Sequence, residues 1–197
     1  MELIKILLII LAFFLGLSFL VHICSKKRYA LKYCSKKRKV ISMDELTNVY
    51  NELIMEHSMN SYNKKKLENA DYCEVGHNPN CGDEITLQLK LNGNKIEDMA
   101  FSGHGCAISQ ASTSIMIDTL KGKTVEEAKE IIKTFIEMIK RETTDEEELK
   151  KLEDAIAFKN VSNMPARVKC ALLAWHTIED MLNKSDSTGT GNINCCQ

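Results

Sequence analysis

Apolar residues run almost unbroken from Leu3 to Ile23, with Lys5 near the start and Ser18 and His22 near the end. A helix of about 20 apolar residues crosses a bilayer, so this run predicts a transmembrane anchor over residues 1–25. A cleaved signal peptide fits less well, because the run is long for such a segment and no small-residue cleavage site follows. Instead the sequence CSKKRYALKYCSKKRKV continues from Cys24 to Val40. Lys and Arg stay on the cytoplasmic side, which predicts a polybasic juxtamembrane linker at 26–41 and a cytoplasmic domain beyond it. Residues 1–42 also admit two other readings, a targeting leader and a dispensable extension.

The pattern changes after residue 41. Ser42 and Glu45 form a capping box, and Leu46, Val49, Tyr50, Leu53 and Ile54 follow helical spacing. A polar loop passes through Lys64–Lys66. Ile85, Leu87, Leu89 and Leu91 then alternate strictly, and after Asn92-Gly93 come Ile96, Met99 and Phe101. This is a hairpin with one buried face. A helix from Ala107 to Leu120 is stopped by Gly122. Thr124 and Glu127 make a second capping box, opening a helix with Ile131, Ile132, Phe135, Ile136 and Ile139 on its core face. A short acidic helix is expected at about Asp145–Ala157. After Pro165 a last helix turns Leu172, Leu173, Trp175, Ile178 and Leu182 inward. The Ser/Thr/Gly/Asn-rich end reads as a disordered tail at 184–197. The fold class is α+β over residues 42–183, a small antiparallel sheet packed against helices and preceded by one transmembrane helix.

Composition narrows the class. Hydrophobic residues make up 44% and charged residues 27% of 197, enough to build a core. The net charge of −1 conceals a basic N-terminal block and an acidic stretch around Asp145–Glu148. The basic block is short and lies beside the apolar run, so no nucleic-acid partner is expected. The chain has eight cysteines but few glycines and only two prolines. That suits a reducing compartment and a metal site better than a secreted disulfide scaffold.

Three cysteines sit at element boundaries. Cys81 and Asp83 lie in the turn HNPNCGD, Cys106 ends GHGC between sheet and helix, and Cys170 lies one turn inside the last helix, in MPARVKC. Three thiolates and a carboxylate make a four-ligand tetrahedral zinc set. Spacing alone leaves another reading open, since isolated cysteines are commonly small buried hydrophobes.

NPNCGD, FSGHGCAIS followed by QASTS, and PARVKCALLAWH occur in that order and resemble the three signature blocks of the SufU/IscU family, over about Met43 to Leu182. The resemblance implies an α+β fold and a role in iron–sulfur cluster assembly. Lys169 stands where the scaffold branch has a histidine, and the stretch between Cys106 and Cys170 is long; both marks resemble the SufU-like branch. Carried over, the pattern implies Cys81, Asp83, Cys106 and Cys170 as zinc ligands. It also implies Cys81 as acceptor of persulfide sulfur from a pyridoxal-phosphate cysteine desulfurase (SufS-like), and Arg167 as a residue of partner engagement. A downstream iron–sulfur scaffold would take the sulfur, and the chain would act as a zinc-dependent sulfurtransferase. Two alternatives are an IscU-like scaffold binding iron or a transient iron–sulfur cluster, and a structural zinc module recruiting partners to a membrane through residues 3–23.

Other candidates carry blander readings. His77 and His104 flank the site and read as polar loop residues, His57 and His176 as structural or surface residues. Cys73 reads as a free thiol outside the motif. Cys195 and Cys196 form no prenylation box.

Overall fold

The computed structural model describes residues 43–59, 61–143 and 145–188. The anchor, the linker and most of the expected tail lie outside the described residues. Among those described, no helix is long and apolar enough to cross a membrane.

Helix α1 (Met43–Met59) leads through a polar loop into three strands, β1 (Tyr72–Asn78), β2 (Asp83–Asn92) and β3 (Lys95–His104). They form one antiparallel sheet in the order β1-β2-β3. The expected hairpin is β2–β3, with its turn at Asn92–Lys95 and Gly93 at φ 60°. Alternation in β2 buries Ile85, Leu87 and Leu89 on the helix-facing side. Strand β1 was not anticipated. Its sequence YCEVGHN shows no clean alternation, and it is an edge strand. Close approach of a helix explains one oddity in it: a Cβ on Gly76 would lie 2.3 Å from Thr177 Oγ1 and 3.2 Å from Leu173 Cδ1. The outer side of β3 is partly covered, since Asn63 O accepts from Phe101 N at 2.9 Å and Lys123 O accepts from Ile96 N at 3.0 Å.

Helix α2 spans Ala107–Leu120 and gives way to Gly122 at φ 84°, as its sequence predicts. Helix α3 (Val125–Lys140) opens with the full Thr124–Glu127 capping box and buries the expected isoleucines and Phe135. The acidic helix differs from expectation. Only Glu146–Leu149 (α4) is α-helical, and Lys150–Asn163 continues as a 3₁₀ segment with a kink at Glu153, φ 49°. The reason lies in the apolar spacing. Leu149, Leu152, Ala155, Phe158 and Val161 are all buried and recur every third residue, which is the period of a 3₁₀-helix rather than an α-helix. Helix α5 runs from Pro165 to Thr188, so the first residues of the expected tail are helical. Leu172, Trp175, Ile178 and Leu182 are buried as expected, while Leu173 is only half-buried.

Packing of α2 on α5 positions the site. Buried Ser112 donates to Ala171 O at 2.7 Å and accepts from Trp175 Nε1 at 3.0 Å. Ala111, Ser112 and Thr113 are small enough to let the two helices approach closely.

Candidate metal centre

Strand register explains how the site is built. Asn78 pairs with Asp83 at the end of the β1–β2 hairpin, so HNPNCGD is a hairpin turn with Pro79–Gly82 as its loop. Gly82 adopts φ 68°, which side-chain-bearing residues rarely do. Asp83 continues the inward set of Ile85, Leu87 and Leu89, and is completely buried. Cys81, at the loop tip, is exposed. From the other side α5 delivers Cys170, buried one turn inside the helix.

Cys81 Sγ, an Asp83 carboxylate oxygen and Cys170 Sγ all lie within 4.8 Å of one another. The two sulfurs are 3.1 Å apart, with Cys170 donating to Cys81, well beyond the ~2.05 Å of a disulfide. Cys106 stands just before α2, half-buried, and its backbone N–H donates to Asp83 Oδ1 at 2.8 Å. It is outside the tight trio, though near enough to add to the upward push on the Cys170 thiol. Gly103 permits this corner: at φ 106°, a Cβ there would lie 2.2 Å from Glu84 O.

Electrostatics follow from the burial. Desolvation pushes the Cys170 thiol up from its usual range, and its hydrogen bonds to Cys81, Asp83 and Cys106 act in the same direction. Arg167, exposed at the start of α5, points Nη1 at Cys81 Sγ from 3.8 Å. Its guanidinium is held above its ordinary range, first by electrostatic attraction to Cys106, then by a hydrogen bond to Cys170 and attraction to Cys81 and Cys170.

The donor set fits a tetrahedral zinc. Zn–S bonds of about 2.3 Å place neighbouring ligands roughly 3.8 Å apart, inside the observed spread. Ser109 supplies a second indication. Its hydroxyl is buried without a partner, and it lies close by, since a Cβ on Gly105 would meet both Ser109 Oγ at 3.1 Å and Asp83 Oδ1 at 3.3 Å.

Other residues separate from the centre. His77 and His104 are exposed and contribute no atom to the trio. Cys73 corrects an expectation: it is buried and disulfide-bonded, not the free thiol its sequence context suggests. Lys169 is exposed beside Cys170. Asn78 and Ser109 were not anticipated. Both lie inside the blocks NPNCGD and FSGHGCAIS, but no role was drawn for them there; extending the inward alternation back from Ile85 to Asp83, then across the turn, would have reached Asn78.

Residues 49–171 match the model of the NifU-like N terminal domain. The chain belongs to this family. It is 40% identical over 136 residues to the iron–sulfur cluster assembly scaffold protein IscU of Thermotoga maritima, covering 69% of this chain and 94% of that one. It is 39% identical over 141 residues to the zinc-dependent sulfurtransferase SufU of Bacillus subtilis, covering 72% and 94%. The crystal structure of an iron–sulfur cluster assembly scaffold protein of the SUF system, from Fervidobacterium islandicum, superposes with a TM-score of 0.63 at 46% identity. That match covers 68% of this chain and 97% of the other.

Proposed function

We propose that this iron–sulfur cluster assembly protein accepts persulfide sulfur on Cys81 and carries it onward, with Cys81, Asp83, Cys106 and Cys170 as its zinc ligands. The observation that carries the reading is the asymmetry of the trio: Cys81 is exposed while Asp83 and Cys170 are buried. One nucleophilic sulfur is thereby offered to a partner and the rest of the set is withheld. Bound zinc would stabilise the thiolate form of its cysteine ligands near neutral pH.

The transfer conserves electrons. The Cys81 thiolate attacks the outer sulfur of a persulfide on a pyridoxal-phosphate cysteine desulfurase. A sulfur–sulfur bond forms at Cys81, the partner's sulfur–sulfur bond breaks, and the partner's cysteine leaves as thiolate. Arg167 faces Cys81 and carries fixed positive charge where that thiolate reacts. A downstream scaffold then takes the outer sulfur by the same exchange. In this reading residues 3–23 tether the domain at the cytoplasmic face of a membrane; cell fractionation of the intact chain tests that tether.

Lys169 favours this reading over an IscU-like scaffold, because an exposed ammonium is a poor metal ligand beside Cys170. The scaffold remains the second reading, since the same thiolates suit iron. The deciding experiment is anaerobic purification of the full chain followed by zinc, iron and acid-labile sulfide analysis. It is paired with transfer of radiolabelled sulfur from cysteine by a desulfurase. One zinc per chain and label on Cys81, lost in Cys81→Ser, is the expected result. Iron with labile sulfide and no label on Cys81 would replace the sulfur carrier with the scaffold.

A further inference from the structure

Asn78 is a polar side chain with 4% exposure at the end of β1, and every hydrogen-bonding end of it is engaged around the metal centre. We infer that Asn78 is a positioning residue: its carboxamide sets Asp83 and the Cys81 loop in place and gives an outer hydrogen bond to the Cys170 sulfur. This inference rests on the metal-binding reading above.

The orientation of the amide is fixed by its neighbours. Oδ1 accepts from Asn80 N at 3.2 Å, and the backbone carbonyl accepts from Cys81 N at 3.3 Å, which together shape the loop carrying Cys81. With Oδ1 so used, Nδ2 faces Asp83 Oδ2 at 3.3 Å and Cys170 Sγ at 3.4 Å. Two N–H groups meet two acceptors, so the donor count closes. Burial keeps water from competing for either bond.

No other common side chain reproduces this arrangement. Aspartate keeps the shape and the loop bond but presents only acceptors to a carboxylate and a sulfur. Glutamine donates from one methylene too far. Alanine removes both functions. Hydrogen bonds to metal ligands orient them and tune their donor strength, and losing one costs about 10–100-fold in metal affinity. A bond to a thiolate also withdraws charge from sulfur, which raises the energy of its charge-transfer band to a bound metal.

The test compares the full-length wild type, Asn78→Ala, Asn78→Asp and, as a control destabilised far from the site, Thr124→Ala. Zinc affinity is measured by chelator competition, and the cobalt(II)-loaded proteins are compared by their sulfur-to-cobalt absorption; circular dichroism checks folding. Both Asn78 variants should lose about 10–100-fold in zinc affinity. Their cobalt bands should move to longer wavelength, while Thr124→Ala changes neither. Asn78→Asp, nearly isosteric, stands in if Asn78→Ala does not fold. Unchanged affinity and band in a folded Asn78 variant would overturn the inference. So would weaker binding with an unmoved band, which would leave Asn78 only a builder of the loop. A wild type that binds no zinc or cobalt would instead overturn the metal reading, and this inference with it.

Discussion

Burial sorts the four described cysteines into different chemistries. Cys73 is enclosed and disulfide-bonded, Cys170 is enclosed among donors, Cys106 is half-covered, and Cys81 is open. Cys81→Ala therefore removes an exposed side chain that supports no core contact. The metal-free variant should unfold in urea within about 0.5 kcal/mol of wild type, yet take no labelled sulfur from a desulfurase; a large drop in stability would make Cys81 structural instead. The sequence made all four proposed ligands visible because thiols and turn glycines are distinctive residue types in distinctive blocks. Asn78 and Ser109 stand in the same blocks, but their residue types announce no role. A single Asn or Ser gains meaning only when register or helical phase places it against a ligand.

Elements were legible where their local signals agreed with their tertiary setting. Helix α3 illustrates this, as Thr124 Oγ1 accepts from Glu127 N at 3.2 Å and Glu127 Oε2 accepts from Thr124 N at 2.8 Å. Thr124→Ala should cost about 1 kcal/mol, measured by denaturant midpoint at neutral pH. The backbone N–H and the hydroxyl of Thr124, in that order, hold the Glu127 carboxyl below its usual value of 4.5. A depressed carboxyl contributes stability that is present above the unfolded value and lost as pH falls through the folded one. The gap between wild type and Thr124→Ala should therefore be widest near neutral pH and narrow below about 4.5; a constant gap would show that the carboxylate plays no part. Strand β1 and the 3₁₀ segment were missed for physical reasons. An edge strand needs no full alternation. The every-third-residue spacing from Leu149 to Val161 differs from an α-helical stripe by only about 0.6 residue per turn.

Aromatic contacts join the helical layer into one core. Phe135 on α3 stacks on Trp175 of α5 at 3.8 Å between ring centres, and meets Phe158 of the 3₁₀ segment edge-on at 6.1 Å. Phe135→Ala should cost about 3–5 kcal/mol. Trp175 is the chain's one tryptophan, so its emission should also shift to longer wavelength in this variant; unchanged emission would mean that the stack does not shield the indole.

None of these aromatic residues belongs to the metal centre, and that separation decides how the molecule should respond to losing its ion. The sheet's inward face, α2, α3 and α5 bury their apolar residues against one another without using Cys81, Asp83 or Cys106. Small zinc modules that lack such a core unfold when chelated. Here chelation should lower the melting temperature only by the linkage contribution of a bound ligand, which grows with the logarithm of free zinc over Kd and reaches about 2.7 kcal/mol at a hundredfold excess. The helical circular dichroism of the chelated protein should persist, with a single cooperative transition. Amide exchange should quicken around Asn78–Asp83 and Gly103–Cys106, while α3 stays protected. Collapse of the helical signal on chelation would instead make the ion part of the fold, and would favour the structural zinc module over the sulfur carrier.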